Sequence, residues 1–499
     1  MKRSEEIDLF VPQRQSIAAI LIILLKFGKQ MIRQFWPILL IFFFNRKASK
    51  DLIFGIIIGV LSLVSLLGSI ISYFKYYFYI KDGELNVRKG VLRKTSLNVP
   101  FERIQSIDFE QNVIHQLFDV VAVKIDTAGS KGSELEIHAI SKDVAYALRD
   151  YILKEKEAIQ GSTVAEGESI FQEETKQLIF SLNPIDLLKI GISQNHFRTA
   201  AIVLGIFLSI AEDLGEVLGF NVFDKIEEGI GQLVQAGLLF IFIFIPVFIF
   251  ISFLITLVRT VFQYFDLKFY KTQNGFKLIS GLLTRKEKSM QKDKVQIIGW
   301  SNNPIKKLFG IYRMRMYQAA SVDVAGNKSM IIPGVYKEQI DETIATVIPG
   351  SVEATFEKHG IHPLSRLRFV WFFGFLPLLG VTGLAYLNGQ SSLYMAWLYL
   401  PVCIWMAQQY FLKRGFQLHP DYCIAEGGIF GRSHKMIELF KVQGVQLSQG
   451  WYETRKELST IHIFTAAGEI KVPYIPLVKA QKLRDYILYR VERSKENWI

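Results

Sequence analysis

His359 and His362, three residues apart and followed by Pro363, are the one close pair among eight scattered histidines. A zinc-type centre needs a full set of His, Cys or carboxylate donors. Cys403 and Cys423 are 20 residues apart, the first inside an apolar run, and supply neither a ligand pattern nor a disulfide framework. The chain has no phosphate-binding glycine loop, no GxSxG elbow, no HExxH helix and no dinucleotide fingerprint. The residues therefore give catalysis no support, and neither a metal nor a cofactor is expected.

What does recur is an amide. Gln105, Gln296 and Gln443 each end a basic-aliphatic-Gln triplet: Arg103-Ile104-Gln105, Lys294-Val295-Gln296 and Lys441-Val442-Gln443. Each lies 15 residues after a glycine (Gly90, Gly281, Gly428) and 23 before an alanine (Ala128, Ala319, Ala466). Such an amide either faces a ligand or satisfies a loop; recurrence in diverged copies favours the structural role for all nine landmarks. Basic side chains gather near each glycine: Arg88, Lys89, Arg93 and Lys94; Arg285, Lys286 and Lys288; Arg432 and Lys435. They suit contact with anionic lipid, each contributing roughly 1 kcal/mol near a charged surface. The plainer reading is a positive face demanded by membrane topology.

Repeated residues need repeated elements to hold them. Residues 52–74 and 234–258 are long enough to cross a bilayer and carry no charge. Weaker apolar partners precede them at 31–44 and 197–210, and a third pair spans 369–387 and 393–411. Pro12, Pro184 and Pro363 each open a mixed apolar and basic stretch before a pair, which fits an interfacial helix as well as an ordinary helix start. The loop 211–229 holds Glu212, Asp213, Glu216, Asp224, Glu227 and Glu228 against Lys225 alone. Lys189, Arg198, Arg259, Lys268 and Lys271 flank that pair on its other side, so both termini and the large segments are expected in the cytoplasm. Arg46, Lys47 and Lys50 in the first turn run against this assignment.

The net charge of +12 suits nucleic acid or an anionic membrane surface, and the apolar runs favour the membrane. Between the apolar pairs, short alternating runs such as Val121-Ala122-Val123-Lys124-Ile125 and Ile461-His462-Ile463-Phe464 predict strands. Leu148-Arg149-Asp150-Tyr151-Ile152-Leu153 reappears at the end of the third segment as Leu483-Arg484-Asp485-Tyr486-Ile487-Leu488. The second segment lacks it but still predicts a helix over 336–347. A sheet of this size must close or cover its edges, and a small barrel or sheet plugged by a C-terminal helix does so.

On the glycine turn, the Gln triplet and the apolar hairpin before each segment, the chain resembles bacterial membrane proteins with pleckstrin-homology-like domains of the second bacterial type, in particular YdbT-like proteins with three such domains. The resemblance implies an α+β membrane protein and a companion, a smaller membrane protein with one such domain. The expected organisation is an N-terminal interfacial helix and first hairpin (1–74), domain one (75–157), linker and interfacial helix (158–196), second hairpin with acidic loop (197–263), domain two (264–350), linker and third hairpin (351–411) and domain three (412–499). The expected function is a non-enzymatic plasma-membrane scaffold, in envelope maintenance or stress defence, that binds lipids or the smaller protein but no nucleic acid. A transporter or lipid-handling protein and a membrane-embedded enzyme are the alternatives.

Overall fold

A computed structural model of the chain describes residues 8–25, 28–29, 51–90, 94–127, 135–159, 176–196, 198–203, 205–206, 209, 239–318, 329–350, 357–389 and 391–494. The spans at 31–44, the loop 211–229, Arg93, Ala128 and Ala319 lie outside these residues.

Seven strands recur three times. The first set is β1 (Gln13–Arg14), β2 (Tyr77–Lys81), β3 (Glu84–Lys89), β4 (Thr95–Pro100), β5 (Ile104–Gln111), β6 (Val120–Thr127) and β7 (Leu135–Ser141). The second is β8 (Gln177–Ser181), β9 (Lys268–Thr272), β10 (Gly275–Ser280), β11 (Arg285–Gln291), β12 (Val295–Ser301), β13 (Tyr312–Gln318) and β14 (Ser329–Val335). The third is β15 (His359–Gly360), β16 (Gly415–Leu418), β17 (Tyr422–Gly427), β18 (Ser433–Glu438), β19 (Val442–Ser448), β20 (Leu458–Thr465) and β21 (Gly468–Pro476). In each set four strands form one antiparallel layer and three form another.

Period-two burial builds the core between the layers. In the first domain Phe78, Ile80, Leu85 and Val87 face Ile107, Val123, Ile125 and Ile137. A closing helix covers the open side: Lys142–Ile159, Lys337–Val347 and Leu477–Arg493. The repeated Leu-Arg-Asp-Tyr-Ile-Leu motif places Leu148 with Ile152, and Leu483 with Ile487, on one buried helix face. Ile340 and Ile344 keep that spacing in the second domain, so the helix survives where the motif does not.

The apolar segments sit inside the domains. β1, β8 and β15 each precede an apolar segment and pair antiparallel with the strand that follows it. The ranges expected as N-terminal segment and linkers, 1–74, 158–196 and 351–411, therefore each contain the first strand of a domain. Adjacent antiparallel strands point their ends the same way, so a helical pair fits between them as an elongated hairpin connection. After Pro184, the helix Pro184–Ile192 buries Leu187 and Ile190 in the second core and leaves Ile185 and Leu188 exposed.

The third pair is described most fully. Residues Leu364–Leu387 run as one apolar helix with a π-helical turn at Trp371–Phe375, and Gly389, at φ 64°, starts the return to Tyr399–Lys413. The helices meet where a Cβ on Gly374 would lie 3.0 Å from Cys403 Sγ. Leu364–Leu387 and Pro246–Tyr264 are the two helices among the described residues that are long and apolar enough to span a bilayer. Asp51–Phe74 is also one continuous helix.

The layers do not close into three separate barrels. β5 pairs with β11 and β12 pairs with β18, so the three-stranded layer of one domain continues into the four-stranded layer of the next. Two seven-stranded sheets result, ordered β7-β6-β5-β11-β10-β9-β8 and β14-β13-β12-β18-β17-β16-β15. The expected barrel edges are satisfied between domains. Among the described residues, β4 at one end of the array and β19 at the other have no such neighbour.

Candidate functional site

The two junctions share a register. Phe109, four residues after Gln105, pairs with Glu287, six after Gly281. Trp300, four after Gln296, pairs with His434, six after Gly428. Because the side-chain period is two, this coincidence puts the same faces together in both junctions.

Side chains lock the first junction. Glu287 is the lone acid of a basic strand, and its side chain is 11% exposed. Its carboxylate accepts from Arg149 at 3.0 Å, from Tyr146 at 3.4 Å and from Lys277. The Arg149 guanidinium also lies over the rings of Tyr146 and Phe109, 5.2 and 5.5 Å from their centroids. Burial holds the Lys277 ammonium below its ordinary value, against the pull of Glu287. At the second junction Trp300 stacks on His434 with ring centroids 5.0 Å apart, and Lys337 of the closing helix lies over the indole. A cation from the closing helix thus sits above an aromatic strand residue in both.

Two of the glycine landmarks, Gly281 and Gly428, open turns that meet the apolar helices. Gly90, Gly281 and Gly428 have φ of 115°, 109° and 124°, a region open to glycine. A Cβ would strike the carbonyl of Thr284 at Gly281 and that of Gly431 at Gly428. The second turn donates to the end of Leu239–Tyr264, from Gly281 N to Phe265 O and Leu282 N to Phe262 O, each 2.9 Å. In the third domain Lys413 reaches Phe430 O at 3.1 Å, and Trp405 packs on Phe430. Exposed Leu282, Leu283 and Phe430 adjoin exposed Arg285, Lys286 and Arg432 here.

Gln105, Gln296 and Gln443 each fall at a β-bulge, the extra residue between Ile104 and Ser106, Val295 and Ile297, and Val442 and Gly444. Their side chains are not used alike: Gln443 is exposed, whereas Gln296 is 2% exposed with neither amide atom hydrogen-bonded. Ala466 lies in the two-residue turn joining β20 to β21.

The basic residues do not converge on one pocket. Arg88 and Lys89 pair in register with Ser96 and Thr95 of β4 and Lys94 precedes that strand, Lys286 pairs in register with Glu110, and Lys435 pairs with Gly299. Lys288 reaches Ser329 O at 3.4 Å. His359 and His362 form no cluster of potential metal donors among the described residues.

A cavity of about 990 Å³ opens beside the first junction. Leu254, Ile255, Val258 and Phe262 give it an apolar helical wall; Asp108, Glu110, Lys124, Asp126, Lys286 and Lys288 give it a charged sheet wall. Lys124 holds Glu110 at 2.5 Å. Burial alone would raise the Glu110 carboxyl, but the hydrogen bond and charge of Lys124, with Lys286, hold it below its ordinary value. Asp108 accepts from Ser289 N at 3.3 Å, and burial pushes its carboxyl up to about 7 against the nearby Lys288 charge.

Of these residues, Asp108, Arg149, Lys277 and Glu287 were not singled out from sequence. Arg149 sits inside a repeated motif, and Glu287 interrupts a run of bases; those were the available signals.

The comparisons with known proteins agree with the repeat. A family model described as bacterial PH domain matches residues 17–156, 221–348 and 373–491. The chain is similar to UPF0699 transmembrane protein YdbT of Bacillus subtilis (strain 168), 21% identical over 436 residues, covering 85% of this chain and 86% of that one. It is also similar to UPF0699 transmembrane protein YdbS of the same organism, 34% identical over 102 residues, 19% of this chain and 62% of that shorter one. The chain belongs to the bacterial PH domain family, as a membrane protein with three such domains.

Proposed function

We propose that the protein is a non-enzymatic scaffold in the plasma membrane, held by three helical hairpins with both termini and all three domains cytoplasmic. Its partner on this reading is a smaller membrane protein with one pleckstrin-like domain, and the setting is envelope maintenance or stress defence. The observation that carries it is the head-to-tail sharing of sheets, which among the described residues leaves one side of β4 and one side of β19 without a strand neighbour, at opposite ends. Strand addition to an open edge is a recurrent mode of protein recognition. A shorter relative, YdbS, matching one part of the chain supports a partner of that kind. The apolar and basic glycine turns would rest on the inner leaflet, with Arg285 and Arg432 meeting lipid phosphates. Crosslinking and pull-down from native membranes tests the scaffold: co-purification of a smaller membrane protein is expected, and a clean monomer in mild detergent would refute it.

A second reading, lipid handling, rests on the cavity with one apolar and one charged wall. It predicts that phospholipid stays bound in native mass spectrometry and that Val258→Trp displaces it. Retention unaffected by that substitution removes this reading.

A further inference from the structure

β19 carries the sequence landmarks of β5 and β12, yet among the described residues it pairs on one side alone, with β20. In both existing junctions the residue four places after the bulge glutamine meets the residue six places after the next domain's turn glycine. By that count Leu447 is the corresponding residue on β19. The closing helix Leu477–Arg493, which packs along β19, carries the same motif as the first. Arg149 and Arg484 are each the second residue of the repeated motif, and each pairs with the aspartate beside it, Asp150 or Asp485. They differ across the junction: Arg149 reaches Glu287 and is 12% exposed, whereas Arg484 is 38% exposed.

We infer that β19 and Arg484 form a third junction. Its occupant is the fourth strand of a pleckstrin-like domain on a separate, smaller membrane protein, with a carboxylate six residues after its turn glycine. This rests on the scaffold reading above and adds the edge, the register and the charge. A second copy of this chain fits poorly. Its β4 places Ser96 at that position, the strand has no acidic residue, and Arg88, Lys89 and Lys94 stand nearby. Arg484 would then gain no counter-charge and would face added positive charge. A membrane-anchored partner is favoured for a further reason, since in this chain each domain's fourth strand follows an apolar segment within the same domain. Confinement to the same membrane raises the effective concentration of a strand that would otherwise have to be captured from solution.

The experiment places a photocrosslinking amino acid at position 447 of the full chain in native membranes and maps adducts by mass spectrometry, with Arg484→Glu and Arg484→Lys as variants. The expected adduct joins position 447 to a smaller protein, within two residues of an acid lying six after a glycine in a strand. Arg484→Glu lowers its yield at least tenfold, Arg484→Lys largely keeps it, and neither changes the thermal melt of the purified chain. Adducts to residues 94–100 of another copy overturn the inference, as does an adduct indifferent to Arg484→Glu. If the smaller protein still co-purifies but never crosslinks at 447, the scaffold stands and this junction falls; if nothing co-purifies, both fall.

Discussion

Arg149 Nη1 lies 3.0 Å from Glu287 Oε1 across 138 residues of chain, joining the closing helix of one domain to the fourth strand of the next. Each residue also has a partner in its own domain, Arg149 in the rings of Phe109 and Tyr146 and Glu287 in Lys277, but their contact with each other crosses from one domain to the next. The contact belongs to the array, and its partners Lys277, Tyr146 and Phe109 surround it with charge and ring faces.

Removing one partner should therefore loosen the joint before it unfolds either domain. Arg149→Ala is expected to cost about 1.5–3 kcal/mol, the range for a hydrogen bond to a charged group. Thermal melts of the detergent-solubilised chain check this. A double-mutant cycle with Glu287→Gln should show that the two costs are not additive; additivity would mean that the residues do not act as a pair.

Gly281 is expected to tolerate no side chain. Its φ of 109° is strained for an L residue, and a Cβ would strike the Thr284 carbonyl. Gly281→Ala should cost more than about 1 kcal/mol, more than the helical Gly→Ala exchange that normally gains stability. Gly59→Ala, within Asp51–Phe74, where nothing lies near the added methyl, is the control.

Asp108 gives the fold a pH dependence. Its folded carboxyl titrates at about 7, above the roughly 3.9 of an unfolded aspartate. A raised acid favours the protonated fold, so this group's contribution is full below about pH 4, falls as pH rises and is lost above about pH 7. Asp108→Asn should stabilise the protein by up to a few kcal/mol at pH 8, with a gain that shrinks toward pH 4. Melting curves across that range are the check, and a gain independent of pH would contradict it.

Gln296 separates a structural glutamine from a ligand-facing one. Its buried amide has no hydrogen bond, and such a group costs about 1–3 kcal/mol. Gln296→Met should raise the melting temperature if the bulge needs only volume there. A loss of stability would instead mean that the amide is engaged.

The threefold repeat was legible because its landmarks are backbone requirements. A glycine at φ above 100° and a bulge residue fixed relative to it cannot drift in spacing without breaking the turn or the register. The closing helix was legible from Leu148 and Ile152, and from Leu483 and Ile487, which repeat a buried helical face. Two things were not. β1, β8 and β15 are two to five residues long and separated from their partners by the apolar segments, so no local pattern marked them as domain strands. The shared sheets were also hidden, because β5 and β11 pair at long range and their matching residues, Phe109 with Glu287, carry no signal until both strands are in place. The candidate site was thus readable in its turns and unreadable in its joints.

Hydrogen exchange of the isolated full-length chain in detergent tests the shared sheets most directly, because it compares repeat-equivalent strands that differ in whether an edge is covered. β11 and β18, central in seven-stranded sheets, should have amides protected on both sides, while their equivalent β4 exchanges through its open edge; likewise β5 and β12 should outlast β19. A difference of at least about a hundredfold in the alternate, outward-pointing amides is expected, since opening free energies in one protein span from near zero to the global value. Equal exchange of β4, β11 and β18, together with equal exchange of β5, β12 and β19, would show three separate domains and contradict the account.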